Sequence, residues 1–220
     1  MPRCLKMLVV LVVLASLPCR AEEISPAGRR LAQKLDAMDV EHLWLPGQAV
    51  AWKTGEPLAT QPGKGHHTHC SAFAAEACRR LGIYLLRPPE HSTVLLANAQ
   101  YDWLFTSGKE YVWMQLSDGR QAQHYANEGR VVLAVFKESG TNHPGHVAIV
   151  RPSTKSSEAI DAEGPQVTQA GSHNARSTSL KAGFAKHPNA WGRQQVRYFA
   201  HKVETDKAQF TVRSTGKEAR

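Results

Sequence analysis

Residues 69–77, HCSAFAAEA, decide the fold, because Cys70 begins a run of small and apolar residues there. Good helix formers continue to Leu81 and a glycine follows at Gly82, which predicts a helix over 70–81 that stops at the glycine. A glycine-containing loop precedes the run. The pattern therefore places a cysteine at the N-terminus of a helix.

Cys70 is the candidate nucleophile because of where this helix begins. A helix N-terminus carries about half a positive charge and free backbone N–H groups. That field is expected to lower the pKa of a thiol, and the thiolate is the reactive form of cysteine. The same N–H groups can bind the oxyanion that forms in acyl transfer. Cys78, in the middle of the helix, receives none of this and is interpreted as a small buried apolar residue.

The second chemical group is His146, within residues 144–150, PGHVAIV. A Pro-Gly turn precedes it, and the apolar residues after it predict a strand that begins at the histidine. A histidine held on a rigid strand can accept the proton of a nearby cysteine. The alternative is a strand-end histidine exposed to solvent, which is the usual role of a histidine that has no chemical partner. Because the chain also contains Cys70, we predict that His146 is the general base.

A third polar group usually orients such an imidazole. If the strand of His146 forms a hairpin with the next strand, residues 166–174, QVTQAGSHN, should supply that group. A side-chain amide oxygen can accept the ring N–H without adding charge, so the preferred candidates are Gln169 and Asn174. His173 is the next alternative. The last candidates are two acidic residues of a predicted turn, Asp161 and Glu163.

The other elements predict an α+β domain with helices packed on an antiparallel sheet. Ser25 and Pro26 fit the cap and first turn of a helix that runs to Met38. Hydrophobic spacing and turn residues predict further helices at 94–105 and 121–128, and strands at 131–136, 146–150, 165–170 and 195–200. Short connections favour antiparallel pairing of these strands, and helices followed by strands are typical of α+β domains.

The two chemical segments together resemble the signatures of the NlpC/P60 and CHAP cysteine hydrolases, a papain-like group. In these families the nucleophilic cysteine heads a helix in a Cys-Ser-x-Phe-like context, here residues 70–73, CSAF. The histidine opens a strand in a Gly-His-Val-like context, here residues 145–147, GHV. The resemblance covers residues 68–169. His69 stands where the families often have aspartate, and Ala72 stands where glycine is common.

The resemblance implies a papain-like, NlpC/P60-type domain that cleaves amide bonds in peptidoglycan. The activity would be that of a stem-peptide endopeptidase or of an N-acetylmuramoyl-L-alanine amidase, with Cys70 and His146 acting through a thioester and without cofactor or metal. His69 and Ser71, on either side of the cysteine, are assigned to substrate binding. A non-catalytic wall-binding or adaptor module on the same fold is an alternative.

The first 21 residues predict a secretory signal peptide, so we expect an exported protein, periplasmic or secreted. Basic residues precede an apolar run at 7–17, which is shorter than the roughly 20 residues of a membrane-spanning helix. Cleavage after Ala21 would leave a hydrolase domain at 22–202 and a polar tail at 203–220, and it would lower the net charge from +8 to +5 because three basic residues are removed. The alternatives are an uncleaved anchor and a lipoprotein modified at Cys19, although Pro18 fits the lipoprotein pattern poorly.

The cysteine content and the charge of the chain bear on three further questions: disulfide bonds, nucleic-acid binding and zinc. Eight residues of helix separate Cys70 and Cys78 by about 12 Å, whereas a disulfide needs Cα atoms within about 7 Å. We therefore expect no disulfide between them. We expect no nucleic-acid partner, because no recognition motif accompanies the basic charge. A zinc-dependent hydrolase that uses His66, His67 and His69 is the alternative enzyme class. We expect a monomer that meets the membrane only through its signal peptide.

Overall fold

The computed structural model describes residues 23–59, 68–138 and 143–204. The predicted signal peptide, His66 and His67 of the alternative zinc cluster, and residues 205–220 of the predicted tail lie outside the described residues. Val203, which belongs to the predicted tail, packs against the hydrophobic core. None of the described helices is long and apolar enough to cross a membrane.

Helices and strands alternate along much of the chain. The helices are α1 (Pro26–Asp36), α2 (Cys70–Arg80), α3 (Leu96–Thr106), α4 (Gly119–Asn127), α5 (Ser157–Glu163), α6 (Leu180–Gly183) and α7 (Pro188–Gly192). The strands are β1 (Met114–Leu116), β2 (Val131–Phe136), β3 (His146–Val150), β4 (Gln166–Gln169), β5 (Ala175–Ser179) and β6 (Arg197–His201). The predicted helices correspond to α1–α4, and the predicted strands correspond to β2, β3, β4 and β6. Helices do not simply precede strands, because α4–α7 are interleaved with the sheet.

The strands form one six-stranded sheet in the order β1-β6-β2-β3-β4-β5. Every neighbouring pair is antiparallel, which confirms the predicted α+β class and the predicted pairing direction. The two outermost strands, β1 and β5, were not predicted. Strand β3 lies between β2 and β4, so the strand that carries His146 is held on both sides.

Both faces of the sheet are covered, which explains why β2 and β3 are continuous apolar runs. Residues alternate between the faces along a strand. On one face, Leu133 and Ile149 belong to a core shared with α1, α2 and α3. On the other face, Ala134 and Val150 belong to a core shared with α4, α6 and α7. The protein thus has two hydrophobic cores separated by the sheet.

The first two helices begin and end where the sequence predicts. The side chain of Ser25 caps α1 by accepting the N–H of Gly28, and a proline occupies the first turn. Helix α2 ends before Gly82, whose φ of +74° lies in the left-handed region that glycine adopts without strain. The two described cysteines, Cys70 and Cys78, are both free, as expected from their spacing.

Candidate active site

Cys70 is the first residue of α2, and its thiol is almost completely buried, with 3% of the residue exposed. Backbone N–H groups of Val147, Ser71 and Cys70 itself point at the sulfur. Burial raises the pKa of the Cys70 thiol, and these N–H groups only partly oppose the rise. The expectation that the helix N-terminus would lower this pKa is therefore wrong in its net effect, because loss of hydration outweighs the helix field.

His146 is the first residue of β3 and is 5% exposed. Its Nε2 atom lies 2.7 Å from Oε1 of Gln169 on β4. The amide nitrogen of Gln169 donates to the carbonyl of His173 at 3.0 Å, so the oxygen end of the amide faces the ring. Nε2 must therefore carry the hydrogen and donate it, which leaves the lone pair of the neutral ring on Nδ1.

The charge state of the ring also suits a base. Burial lowers the pKa of His146 to about 4, and the hydrogen bond to Gln169 offsets part of that effect. The imidazole is therefore neutral at neutral pH, with Nδ1 ready to accept a proton. Gly183 leaves room for the orienting amide, since a Cβ at position 183 would lie 2.7 Å from Oε1 of Gln169.

Aromatic neighbours hold the His146 ring on the α6–α7 side of the sheet. The edge-on ring of Phe184 has its centroid 4.6 Å away, and the ring of His187 stacks at 5.5 Å. The backbone of Gly171 also touches the ring, because a Cβ at position 171 would lie 3.1 Å from Cε1. The structure thus packs the imidazole between the segment that joins α6 to α7 and the turn after β4.

The thiol and the ring approach β3 from opposite faces. Cys70 belongs to the core on the α1–α3 side, and its sulfur meets the N–H of Val147, the residue next to His146. No hydrogen bond joins the sulfur to the ring in the described part of the chain. Proton transfer between them therefore requires a rearrangement at the start of β3 that brings the ring to the face of the sheet that holds the sulfur.

Asn174, the second amide candidate for the orienting role, is used elsewhere. Its nitrogen donates to a cluster of backbone carbonyls in the loop after α1, those of Val40, Leu43 and Trp44. Its oxygen accepts the N–H of Gly171 at 3.0 Å. Asn174 thus fixes the turn whose glycine touches the ring, while Gln169 is the amide that contacts the ring itself.

The other proposed candidates lie around these groups. His69 precedes α2 and its Nε2 lies 2.8 Å from the carbonyl oxygen of Gln48. Ser71 is buried, and its carbonyl accepts a hydrogen bond from Gln100. His173 contributes only its backbone carbonyl to Gln169. Asp161 pairs with an arginine on α4. Among the described residues no group of three or more His, Cys, Asp or Glu side chains could hold a metal ion.

Helix α3 contributes two buried polar residues that sequence reasoning did not place. Asn98 accepts the N–H of Gly145 at 2.6 Å and donates to the carbonyl of His143, so it fixes the turn that leads into β3. Gln100 donates to the carbonyl of Ser71 and so fixes the first turn of α2. The sequence signal was that a polar residue alternates with apolar ones at the start of this helix. His187 and Phe184 carried no comparable sequence signal.

No protein-family model matches this chain, and no curated protein matches its sequence. The resemblance to the NlpC/P60 and CHAP hydrolases, carried by residues 70–73 and 145–147, therefore stays a prediction.

Proposed function

We propose that this protein is a papain-like cysteine hydrolase of the NlpC/P60 type that cleaves amide bonds. The observation that carries the proposal is the hydrogen bond between Nε2 of His146 and Oε1 of Gln169. It sets a neutral imidazole with a free Nδ1 on the strand whose next residue, Val147, binds the sulfur of Cys70. A nucleophile, a base and an orienting group thereby occupy neighbouring positions.

The reaction begins from a neutral thiol and a neutral imidazole, because burial disfavours the charged form of each. As the sulfur of Cys70 attacks the amide carbonyl carbon, its proton passes to Nδ1 of His146. The backbone N–H of Cys70 stabilises the oxyanion that forms. The carbon–nitrogen bond then breaks, and the imidazolium returns the proton to the departing amine.

A thioester between Cys70 and the acyl half of the substrate remains. Water attacks its carbonyl carbon while His146 accepts a proton from the water. The carbon–sulfur bond breaks, the sulfur regains a proton, and a carboxylic acid is released. Gln169 supports both half-reactions by stabilising the imidazolium, since its oxygen accepts the Nε2–H throughout. No cofactor takes part in any step.

The substrate class follows from the family resemblance and from the predicted export signal. We propose peptidoglycan, cut either within its stem peptides or at the bond between muramic acid and L-alanine, in the periplasm or outside the cell. A net positive charge favours attraction to anionic wall polymers. A monomer suffices for this reaction, since one chain supplies the three residues.

The test is digestion of purified peptidoglycan by the mature protein, followed by mass spectrometry of the released fragments. Cys70→Ala should abolish fragment release. Cys78→Ala is the matched control, because Cys78 is a second buried free cysteine on the same helix, and it should retain activity. Undiminished release by Cys70→Ala would refute the proposal.

The burial of Cys70 and its separation from the His146 ring favour one second candidate, a non-catalytic wall-binding or adaptor module on the same fold. In that case the thiol is a core residue and the His146–Gln169 pair is a structural hydrogen bond. This candidate predicts that Cys70→Ala binds wall polymer as well as the wild type and that neither protein releases fragments.

A further inference from the structure

A cavity lies on the face of the sheet that holds the His146 ring. Its volume is about 870 Å³, and it opens between β1, β6 and helices α4, α5 and α7. Helix α7 joins it to the site: His187, the residue before α7, stacks on His146, and Trp191 lines the cavity four residues later. The volume is in the range of small-molecule binding sites.

Tyr198 provides the observation that points to a ligand. The residue is only 7% exposed and lines the cavity. Its hydroxyl has no hydrogen-bond partner among residues 23–59, 68–138 and 143–204. The hydroxyl is open to the cavity rather than sealed in the core, so it is free to donate to or accept from a group of a ligand bound there. The hydroxyl lies over the start of α4, where a Cβ on Gly119 would be 3.4 Å from it.

The charges around the cavity favour an uncharged ligand. Arg120 and Asp161 pair with each other across it. Asp118 caps α4, and a hydrogen bond from the N–H of Gln121 lowers its pKa and keeps it ionised. Together with Arg197, these side chains carry formal charges that cancel. An anion would meet two carboxylates and a cation two guanidinium groups.

The lining also combines polar and apolar surfaces. Trp191 supplies an aromatic ring, Ile160 and Val196 supply aliphatic walls, and Gln194 and the Tyr198 hydroxyl supply hydrogen-bonding groups. A sugar presents an apolar face to an aromatic ring and hydroxyl groups to its rim, and an acetamido group adds a methyl for an aliphatic wall. This is the chemistry that the lining matches.

We propose that this cavity binds neutral acetamido-sugar units of a glycan and so anchors the polymer on the face of the sheet that holds His146. The substrate assignment rests on the proposed function, since wall glycan is built of such sugars. The glycan strand would lie along α7, and its attached peptide would extend toward His146. Binding itself requires neither Cys70 nor His146.

The experiment is isothermal titration of the mature Cys70→Ala protein with N,N′,N″-triacetylchitotriose. The same titration with cellotriose, which has the hydroxyls without the acetamido groups, should show at least about tenfold weaker binding. Gly192→Phe is the blocking variant: Gly192 lines the cavity and a Cβ there meets nothing within 4 Å. We expect it to weaken chitotriose binding at least about tenfold, the equivalent of ~1.4 kcal/mol.

Gly192→Ala is the matched control and should bind within about twofold of the parent protein, while Tyr198→Phe, which removes only the hydroxyl, should weaken binding about fivefold. No binding at about 10 mM chitotriose, equal affinity for cellotriose, or unchanged binding in both Gly192→Phe and Tyr198→Phe would overturn the proposal. If Gly192→Phe fails to fold, Tyr198→Phe decides alone. Sugar binding by a protein that cuts no amide would refute the hydrolase and leave this site standing.

Discussion

Gln169 gives the sharpest prediction about the proposed chemistry. In Gln169→Leu the buried Nε2–H of His146 loses the oxygen 2.7 Å away, and the ring is no longer held in the tautomer with a free Nδ1. An unpaired buried donor costs about 1–3 kcal/mol. If that cost falls on the transition state, where the ring is charged, kcat should fall about 10- to 100-fold.

Gln169→Glu tests the same contact by strengthening it for the charged ring instead of removing it. A carboxylate at this distance favours the imidazolium, so the pKa of His146 should rise from about 4 by roughly 1–3 units. The acid limb of kcat/KM, which reports the base in the free enzyme, should move to higher pH by the same amount.

The assay is the release of primary amines from purified peptidoglycan between pH 3 and pH 9 at several substrate concentrations. The matched control is Gln166→Leu, on the same strand, because Gln166 bonds to Ser177 and not to the ring. It should leave both kcat and the acid limb unchanged. Full activity in Gln169→Leu, or an acid limb that stays near pH 4 in Gln169→Glu, would refute the role assigned to Gln169.

Three further predictions concern stability and reactivity. Because the pKa of His146 is about 4 in the folded protein and near 6.5 when unfolded, the unfolded state binds more protons between these values. The free energy of unfolding should therefore fall by up to about 3 kcal/mol as pH drops from 6.5 to 4. Urea titrations should show this, and His146→Gln should make the dependence shallower without removing it, because burial also lowers the pKa of His187 to about 4; an equally steep slope in the variant would contradict the assignment. Iodoacetamide should label Cys70 slowly at pH 7 and faster up to and beyond pH 9, with Cys78, whose pKa burial raises to about 12, unlabelled by mass spectrometry; labelling of Cys70 that reaches a plateau below pH 8 would show a lowered pKa instead. Gly171→Ala places a Cβ 3.1 Å from the His146 ring and should lower kcat about tenfold through displacement of the ring, with a free energy of unfolding within about 1 kcal/mol of the wild type; unchanged kcat would mean that the ring position is not critical.

Elements with strong local signals could be predicted from the sequence. Ser25 and Pro26 mark the start of α1, and Gly82 marks the end of α2 through a backbone conformation that glycine adopts readily. The apolar runs of β2 and β3 follow from burial on both faces. These features depend on short-range chemistry, so spacing along the chain was enough.

Elements whose formation depends on residues distant in the chain could not be predicted from the sequence. Strand β5, Ala175–Ser179, is polar after its first residue and is only partly buried, and it becomes a strand only by pairing with β4 at the edge of the sheet. Helices α6 and α7 have four and five residues, too few for hydrophobic periodicity to appear. Nothing in the sequence indicated that Phe184 and His187, which lie between these two helices, would pack against His146.

The same distinction between local and long-range effects applies to the residues of the candidate site. Gln169 is a preferred candidate because a hairpin places it beside His146, and the structure places its amide oxygen on the ring. Asn174 satisfies the same chemical criterion, but its direction depends on the loop after α1. The expectation of a low pKa for Cys70 is wrong because the helix field is a local effect, whereas burial comes from the whole core.

The measurement that tests the central claim most directly is detection of the acyl-enzyme. The reaction with a soluble peptidoglycan fragment would be quenched in acid within the first turnover, and the protein then digested and analysed by mass spectrometry. The account predicts a thioester-linked acyl group on the peptide that contains Cys70, absent from Cys70→Ala and strongly reduced in His146→Gln. Hydrolysis that proceeds with no acyl group on Cys70, and continues in Cys70→Ala, would contradict it.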